Sequence, residues 1–280
     1  MNLRLNLGLA STTTERSSLG ITSMTMITAP PELLRLQPHP ERRRNRRKVA
    51  QVDQDKFVVS FEDWIRDGFH HLEGDRVEEA LTVFEGVIEA DARIAIAWMG
   101  RGFALNELKR YEEAIDAFEQ ALSLDKTLYY AWLGLGRARE AKGTPELALY
   151  AYDPALEIDT EIVWAWYYRG LSLMTLEEYE AALTSLDEAL RLSPQWASIW
   201  HCRGWLLGTI ERYGEAIASF DEALALDPSD PWTWYYRGLS LAFAGETQTA
   251  LESVSQALRI KPGLSRAQDL FEQLQSLLGE

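Results

Sequence analysis

The sequence predicts an all-α protein, a solenoid of helix-turn-helix repeats, and three columns of residues predict it. Trp64, Trp98, Trp132, Trp166, Trp200 and Trp234 recur at intervals of 34 residues. Each is followed four residues later by glycine (Gly68, Gly102, Gly136, Gly170, Gly204, Gly238) and sixteen residues later by alanine (Ala80, Ala114, Ala148, Ala182, Ala216, Ala250). No insertion or deletion breaks the phase. A fixed period of this length marks an array in which each unit buries its apolar face against its neighbours.

The composition is that of a folded chain. Its 280 residues are 46% hydrophobic and 25% charged, enough for a sizeable core. A single cysteine and four histidines supply neither a disulfide framework nor a cysteine-rich zinc scaffold, and fit a reducing compartment. No apolar run reaches the roughly 18 residues of a transmembrane helix, and residues 1–10 lack the apolar core of a secretory signal, so a soluble, cytoplasmic protein is expected.

In chain order, residues 1–60 come first and are expected to be disordered. Ser and Thr crowd the stretch Ser11–Thr28, Pro30, Pro31, Pro38 and Pro40 deny a helix, and no helical or strand period is sustained. Arg42, Arg43, Arg44, Arg46, Arg47 and Lys48 then form a basic run. The segment holds ten Lys/Arg and five Asp/Glu, whereas residues 61–280 hold 18 and 38, a net charge of −20. Three readings of the run stay open: a solvated arm or over-extended start, an electrostatic contact with an anionic surface or with the acidic body, and organelle targeting by the acid-poor residues 1–30. The body repels phosphate backbones, which argues against a nucleic-acid reader and favours basic or apolar peptide partners.

Six units follow, at 61–94, 95–128, 129–162, 163–196, 197–230 and 231–264. Trp and Gly, at i and i+4, lie on one face of a first helix, extended at i+7 by Leu105, Leu173, Leu207 or Leu241, and this face is expected to be buried. Glycine in a helix interior costs about 1 kcal/mol, so six of them imply a neighbour too close for a side chain. In the second helix the alanine column and its repeat seven residues on (Ala121, Ala155, Ala189, Ala223, Ala257) offer a small-residue stripe to fit against the glycines, with Phe84, Phe118, Tyr152 and Phe220 beside it. Ser60 with Asp63 predicts the cap of the first helix. Gly143-Thr144-Pro145 marks a turn within a repeat, and Pro194, Pro228 and Pro262 mark turns between repeats. Pro154, in the middle of a second helix, predicts a kink. Residues 265–280 predict a C-terminal capping helix with the apolar stripe Leu264, Ala267, Leu270, Phe271, Leu274, Leu277 and Leu278, and with Gln268 and Glu272 where Trp and Gly would stand.

With these columns the chain resembles the tetratricopeptide repeat family across all six units. It departs from the family pattern at Arg101, Arg169, Arg203 and Arg237, where Leu usually precedes the Gly, and at Ala92, Lys126 and Thr160, where Pro usually ends the repeat. The arginines are expected to lay their stems on neighbours and their guanidinium groups on acids of an adjacent helix. The resemblance implies a right-handed superhelix whose concave groove is lined by a second stripe of the first helices. From that stripe come the candidate groove residues Phe103, Leu133, Arg137, Trp164, Tyr167, Leu171, His201, Trp205, Trp232, Tyr235 and Leu239; packing against the next repeat is the competing reading. Family members that clamp a C-terminal carboxylate use Lys, Asn and Arg in these columns. Here only Arg137 fits, which favours an apolar or aromatic ligand segment with basic flanks.

Chemistry is not expected. No nucleophile with a base, phosphate loop or metal-ligand spacing occurs, and the neighbours His70-His71 and His201-Cys202 point about 100° apart on a helix, which spoils joint coordination. Acids such as Glu78, Glu79, Glu112, Glu113, Asp116 and Glu188 read as the solvated face of the second helices. The expected function is a non-catalytic adaptor or assembly factor without cofactor or metal. The alternative is a factor docked on membrane or nucleic acid by residues 42–48 while the repeats hold a protein partner.

Overall fold

The computed structural model describes residues 60–279; the basic run at 42–48 and the leader at 1–30 lie outside the described residues. Helices α1 (Phe61–Glu73), α2 (Val77–Ala90), α3 (Ala95–Glu107), α4 (Tyr111–Leu124), α5 (Tyr129–Ala141), α6 (Pro145–Ile158), α7 (Val163–Thr175) and α8 (Tyr179–Leu192) are followed by α9 (Ala197–Thr209), α10 (Tyr213–Leu226), α11 (Pro231–Phe243), α12 (Thr247–Ile260) and α13 (Ser265–Gly279). No strand occurs among the described residues. The chain divides into two compact units at residue 192, α1–α8 and α9–α13. Within each, every helix packs on the next, and alternate helices such as α1, α3, α5 and α7 also touch in succession.

Local chemistry sets the helix ends. Ser60 Oγ accepts from the Asp63 backbone N–H at 3.1 Å while the Asp63 carboxylate accepts from the Ser60 N–H at 3.3 Å, a complete capping box. Each turn inside a repeat puts one residue in the left-handed region: Asp75 (φ 57°), Lys109 (59°), Gly143 (85°), Glu177 (62°), Glu211 (63°) and Gly245 (86°). The next N–H then reaches the carbonyl five residues back, as Arg110 does to Leu105 at 2.9 Å, which satisfies the helix's last carbonyls. Glycine is suited to this turn; the four side-chain-bearing residues there pay about 1 kcal/mol each. Pro154 lies inside a helix that runs unbroken from Pro145 to Ile158.

The turns between repeats are tied by tryptophan. The indole N–H donates to the backbone carbonyl six residues earlier: Trp98 to Ala92 at 2.8 Å, Trp132 to Lys126 at 2.9 Å, Trp166 to Thr160 at 2.8 Å, Trp200 to Pro194 at 2.9 Å and Trp234 to Pro228 at 3.0 Å. Gln268 makes the same bond to Pro262 at 2.8 Å, so an amide takes the place of the indole in α13. This corrects the expectation of a fully buried Trp–Gly face. The glycines are buried, but the five tethering tryptophans are half-buried and Trp64, before which no described turn stands, is 40% exposed. An amphipathic ring with a polar handle suits such a boundary.

The partner of the glycines also differs from expectation. A Cβ on Gly68 would come within 2.7 Å of the Phe84 ring, one on Gly102 within 2.7 Å of Phe118, and one on Gly204 within 2.8 Å of Phe220. In these repeats, and at Gly136 against Tyr152, the ring between the two alanines demands the glycine rather than the alanine stripe; Gly170 and Gly238 face Leu186 and Val254 at that same position. Phe84 and Phe118 each press on a second glycine of the following repeat, Gly100 and Gly134. In the later repeats that position carries Tyr168 or Tyr236, which stack on Tyr152 at 6.2 Å and on Phe220 at 6.4 Å.

The arginines before the glycines act as staples. Arg169 donates from Nε to Asp153 at 2.8 Å and from Nη1 to Ser185 at 2.8 Å; Arg237 does the same to Asp221 and Ser253, both at 2.6 Å. Each guanidinium thus spans the preceding second helix and its own. Arg101 reaches Glu85 at 3.2 Å, and Arg101, Arg203 and Arg237 also lie about 6 Å over the tryptophan three residues earlier.

Candidate binding surfaces

The candidate groove residues divide by burial. Phe103, Leu133, Tyr167, Leu171, His201, Tyr235 and Leu239 are buried within their units, whereas Arg137, Trp164, Trp205 and Trp232 keep part of their surface in solvent. A first helix in such a stack touches its own second helix, the preceding second helix and the neighbouring first helices. Most of its circumference is therefore core, and an apolar stripe on it does not by itself mark an open surface.

In the α1–α8 unit the structure collects a polar cluster that hydrophobic periodicity does not reveal. The Arg137 guanidinium lies 5.4 Å over the Tyr168 ring. Glu140 on the same helix accepts from the Ser172 hydroxyl at 3.2 Å and from the Tyr152 hydroxyl at 3.4 Å. Burial raises the Glu107 carboxyl above its ordinary range, an effect the Arg137 cation opposes. Burial and then the Glu140 carboxylate push the Tyr152 phenol well above its ordinary range. The buried Asn106 Oδ1 has no partner among the described residues. Trp164 packs edge-on to Tyr167 and stacks on Tyr168 at 5.9 Å beside this cluster. Only Arg137 of the polar members was legible: Asn106 and Glu140 share one column and Glu107 aligns with Glu73, but the same columns carry Leu72, Met174 and Ala141 in other repeats, so no polar period marks them.

In the α9–α13 unit, Gly204, Trp205, Gly208, Tyr213, Phe220, Tyr236, Leu239, Ser240 and Phe243 line a small pocket of about 30 Å³. Tyr213 and Phe243 stack at 5.2 Å on its rim. Gly208 differs from the glycines that face rings. A Cβ there would meet only Ser240 Oγ at 3.5 Å and Ala216 Cβ at 4.0 Å, so packing permits a side chain and the glycine keeps the pocket open. Nearby, His201 Nδ1 lies 2.6 Å from Thr233 Oγ1 and 3.7 Å from the Asp230 carboxylate that caps α11, while Nε2 is buried without a partner among the described residues. Burial holds this imidazole below its ordinary range, against the pull of Asp230.

No group of three or more His, Cys, Asp and Glu that could hold a metal occurs among the described residues. Among the described residues, the histidines with substantial burial are His71, on α1, and His201, on α9. No helix among the described residues is long and apolar enough to cross a membrane.

Family models of the tetratricopeptide repeat match residues 95–128, 163–196 and 210–242. The chain is a tetratricopeptide repeat protein. No curated protein matches it. Among solved structures it is similar to YrrB, described as a TPR protein with an unusual peptide-binding site, at 25% identity and a TM-score of 0.60 over 66% of this chain and 96% of that one. It also shares the fold of PilW, described as a type IV pilus biogenesis factor (18% identity, TM-score 0.68, 75% of this chain and 97% of that one). The same holds for pilF of Pseudomonas aeruginosa (17% identity, TM-score 0.68, 76% and 97%). Repeats of this kind serve protein–protein interaction or assembly.

Proposed function

We propose that this protein is an adaptor that binds an apolar or aromatic peptide segment with basic flanks, and that the pocket beside Gly208 receives one side chain of that segment. The observation that carries this reading is the pocket itself: aromatic walls, a half-exposed Trp205 at its edge, and a glycine that packing does not require. At about 30 Å³ the pocket admits the tip of an apolar side chain, about a methyl group, while the rest of that chain lies on Trp205 and the rim, and the contact contributes through the area removed from water, about 25 cal/mol per Å². The net charge of −20 over residues 61–280 attracts basic flanks and speeds encounter. Of the predicted set, Trp205 at the edge of this pocket is the residue that this reading assigns to ligand contact. The peptide-binding site named for YrrB is in keeping with this reading.

The test is selection of a peptide library displayed on phage against the full chain. Enrichment of peptides with a large apolar residue and neighbouring Lys or Arg, lost on the Trp205→Ala variant, supports the proposal. Selected peptides that lack a large apolar residue, or that bind Trp205→Ala equally well, contradict it.

A further inference from the structure

The outer face of α6 departs from that of every other second helix. Leu147, Tyr150, Pro154 and Ile158 fall within about 80° of one another on the helical wheel, and Leu147 is 48%, Tyr150 72% and Ile158 42% exposed. At the position of Tyr150 the other second helices carry Thr82, Asp116, Thr184, Ala218 and Glu252; at that of Leu147 they carry Glu79, Glu113, Ala181, Glu215 and Thr249. Small and polar residues suffice at these two positions everywhere else, so neither the repeat nor its packing calls for Leu147 and Tyr150; Ile158, by contrast, stands in a column that is Leu124, Leu192, Leu226 and Ile260 in other repeats and only extends the stripe. Along its edge run Glu146, Asp153 and Glu157, of which Glu146 and Glu157 have no cationic partner among the described residues.

We propose that this face is the docking site of the chain's own basic segment, residues 33–48, with Leu33, Leu34 and Leu36 covering the stripe and Arg42–Lys48 meeting its acidic edge. Charge complementarity and tether length select this occupant. Residues 49–59 join the basic run to the cap of α1, and eleven extended residues span about 36 Å. From α1 to α6 the path crosses the packed helices α3 and α5, about 30 Å at 8–10 Å per contact. The tether holds the segment at an effective concentration in the millimolar range, so a patch of a few hundred Å² is sufficient. A second copy fits less well: it brings the same acids onto an acidic edge, and a patch this small falls short of the roughly 1,000 Å² of a specific interface.

The test uses the full chain with the photo-crosslinking residue benzoylphenylalanine in place of Tyr150, and trypsin, which cuts after each residue of the basic run. The proposal predicts crosslinks from position 150 to residues 33–48 at monomer mass. It also predicts trypsin cleavage within 42–48 at least fivefold faster in Leu147→Ser/Tyr150→Ser than in the parent, with no acceleration in the control Thr184→Ser. Tyr150 is largely exposed, so the variant fold is checked simply by an unchanged helical circular dichroism spectrum. Crosslinks that appear only at dimer mass overturn the proposal, as do the absence of crosslinks to 33–48 or an unchanged cleavage rate in the double variant.

Discussion

Helices α4 and α6 are consecutive second helices with the same inside and different outsides. Ala114, Phe118 and Ala121 of the one match Ala148, Tyr152 and Ala155 of the other, all buried, and each ring presses on a glycine of its own first helix. On the outside Glu113, Asp116 and Gln120 become Leu147, Tyr150 and Pro154. The inner columns are fixed by contact with neighbours and repeat because the contact repeats. The outer positions answer to nothing inside the unit, so a coherent departure there points to something outside it. The same logic sets Gly136, which a ring requires, against Gly208, which nothing requires.

Breaking the inside has the largest effect. Phe118→Ala removes a ring that fills the space beside Gly102, Gly134 and Phe103, and is expected to cost about 3–5 kcal/mol, read as a fall in the urea midpoint. Gly136→Ala drives a methyl into the Tyr152 ring and is expected to cost about 1–3 kcal/mol, with faster hydrogen exchange in α5 and α6. In the turns the sign reverses. Glu177→Gly relieves a left-handed residue at φ 62° and is expected to raise stability by about 0.5–1 kcal/mol despite the entropy of glycine, seen as a higher Tm.

A pH effect tests the other unit. The His201 imidazole is held below its ordinary value of 6.5 chiefly by burial. The unfolded chain therefore takes up a proton first as pH falls. The stability due to neutral His201 is complete above pH 6.5 and is lost as pH falls below it toward the depressed folded value. Hydrogen exchange in α9 and α11 should accelerate between pH 7.5 and 5.5 after correction for intrinsic rates, and His201→Asn should flatten that dependence. The smallest effect belongs to the outside of α6: Leu147→Glu with Tyr150→Asp, which copies the α4 surface, is expected to move stability by under about 0.5 kcal/mol.

The repeat, its phase and both helices of each unit were legible because close packing imposes small or aromatic residues at fixed spacing, and Trp, Gly and Ala are conspicuous. The open surfaces were less so. Tyr167 and Trp205 stand at related spacing in neighbouring repeats, yet the first is buried and the second half-buried, since exposure depends on what the next helix brings. The tryptophans looked like core, but their reason is a hydrogen bond to a turn, which hydrophobic periodicity does not register. Glu107, Glu140 and Ser172 meet only through the stacking of α3, α5 and α7, and no single-helix pattern contains them.

The most direct test of the central claim, that residues the packing does not require are the ones kept for recognition, is the affinity of a library-selected peptide for the parent and for Gly208→Ala, measured by calorimetry beside the Tm of each. The account predicts an affinity at least tenfold weaker with the Tm unchanged or higher, because the methyl fits the helix and obstructs the pocket. Unchanged affinity, or a Tm that falls as it does for Gly136→Ala, would contradict it.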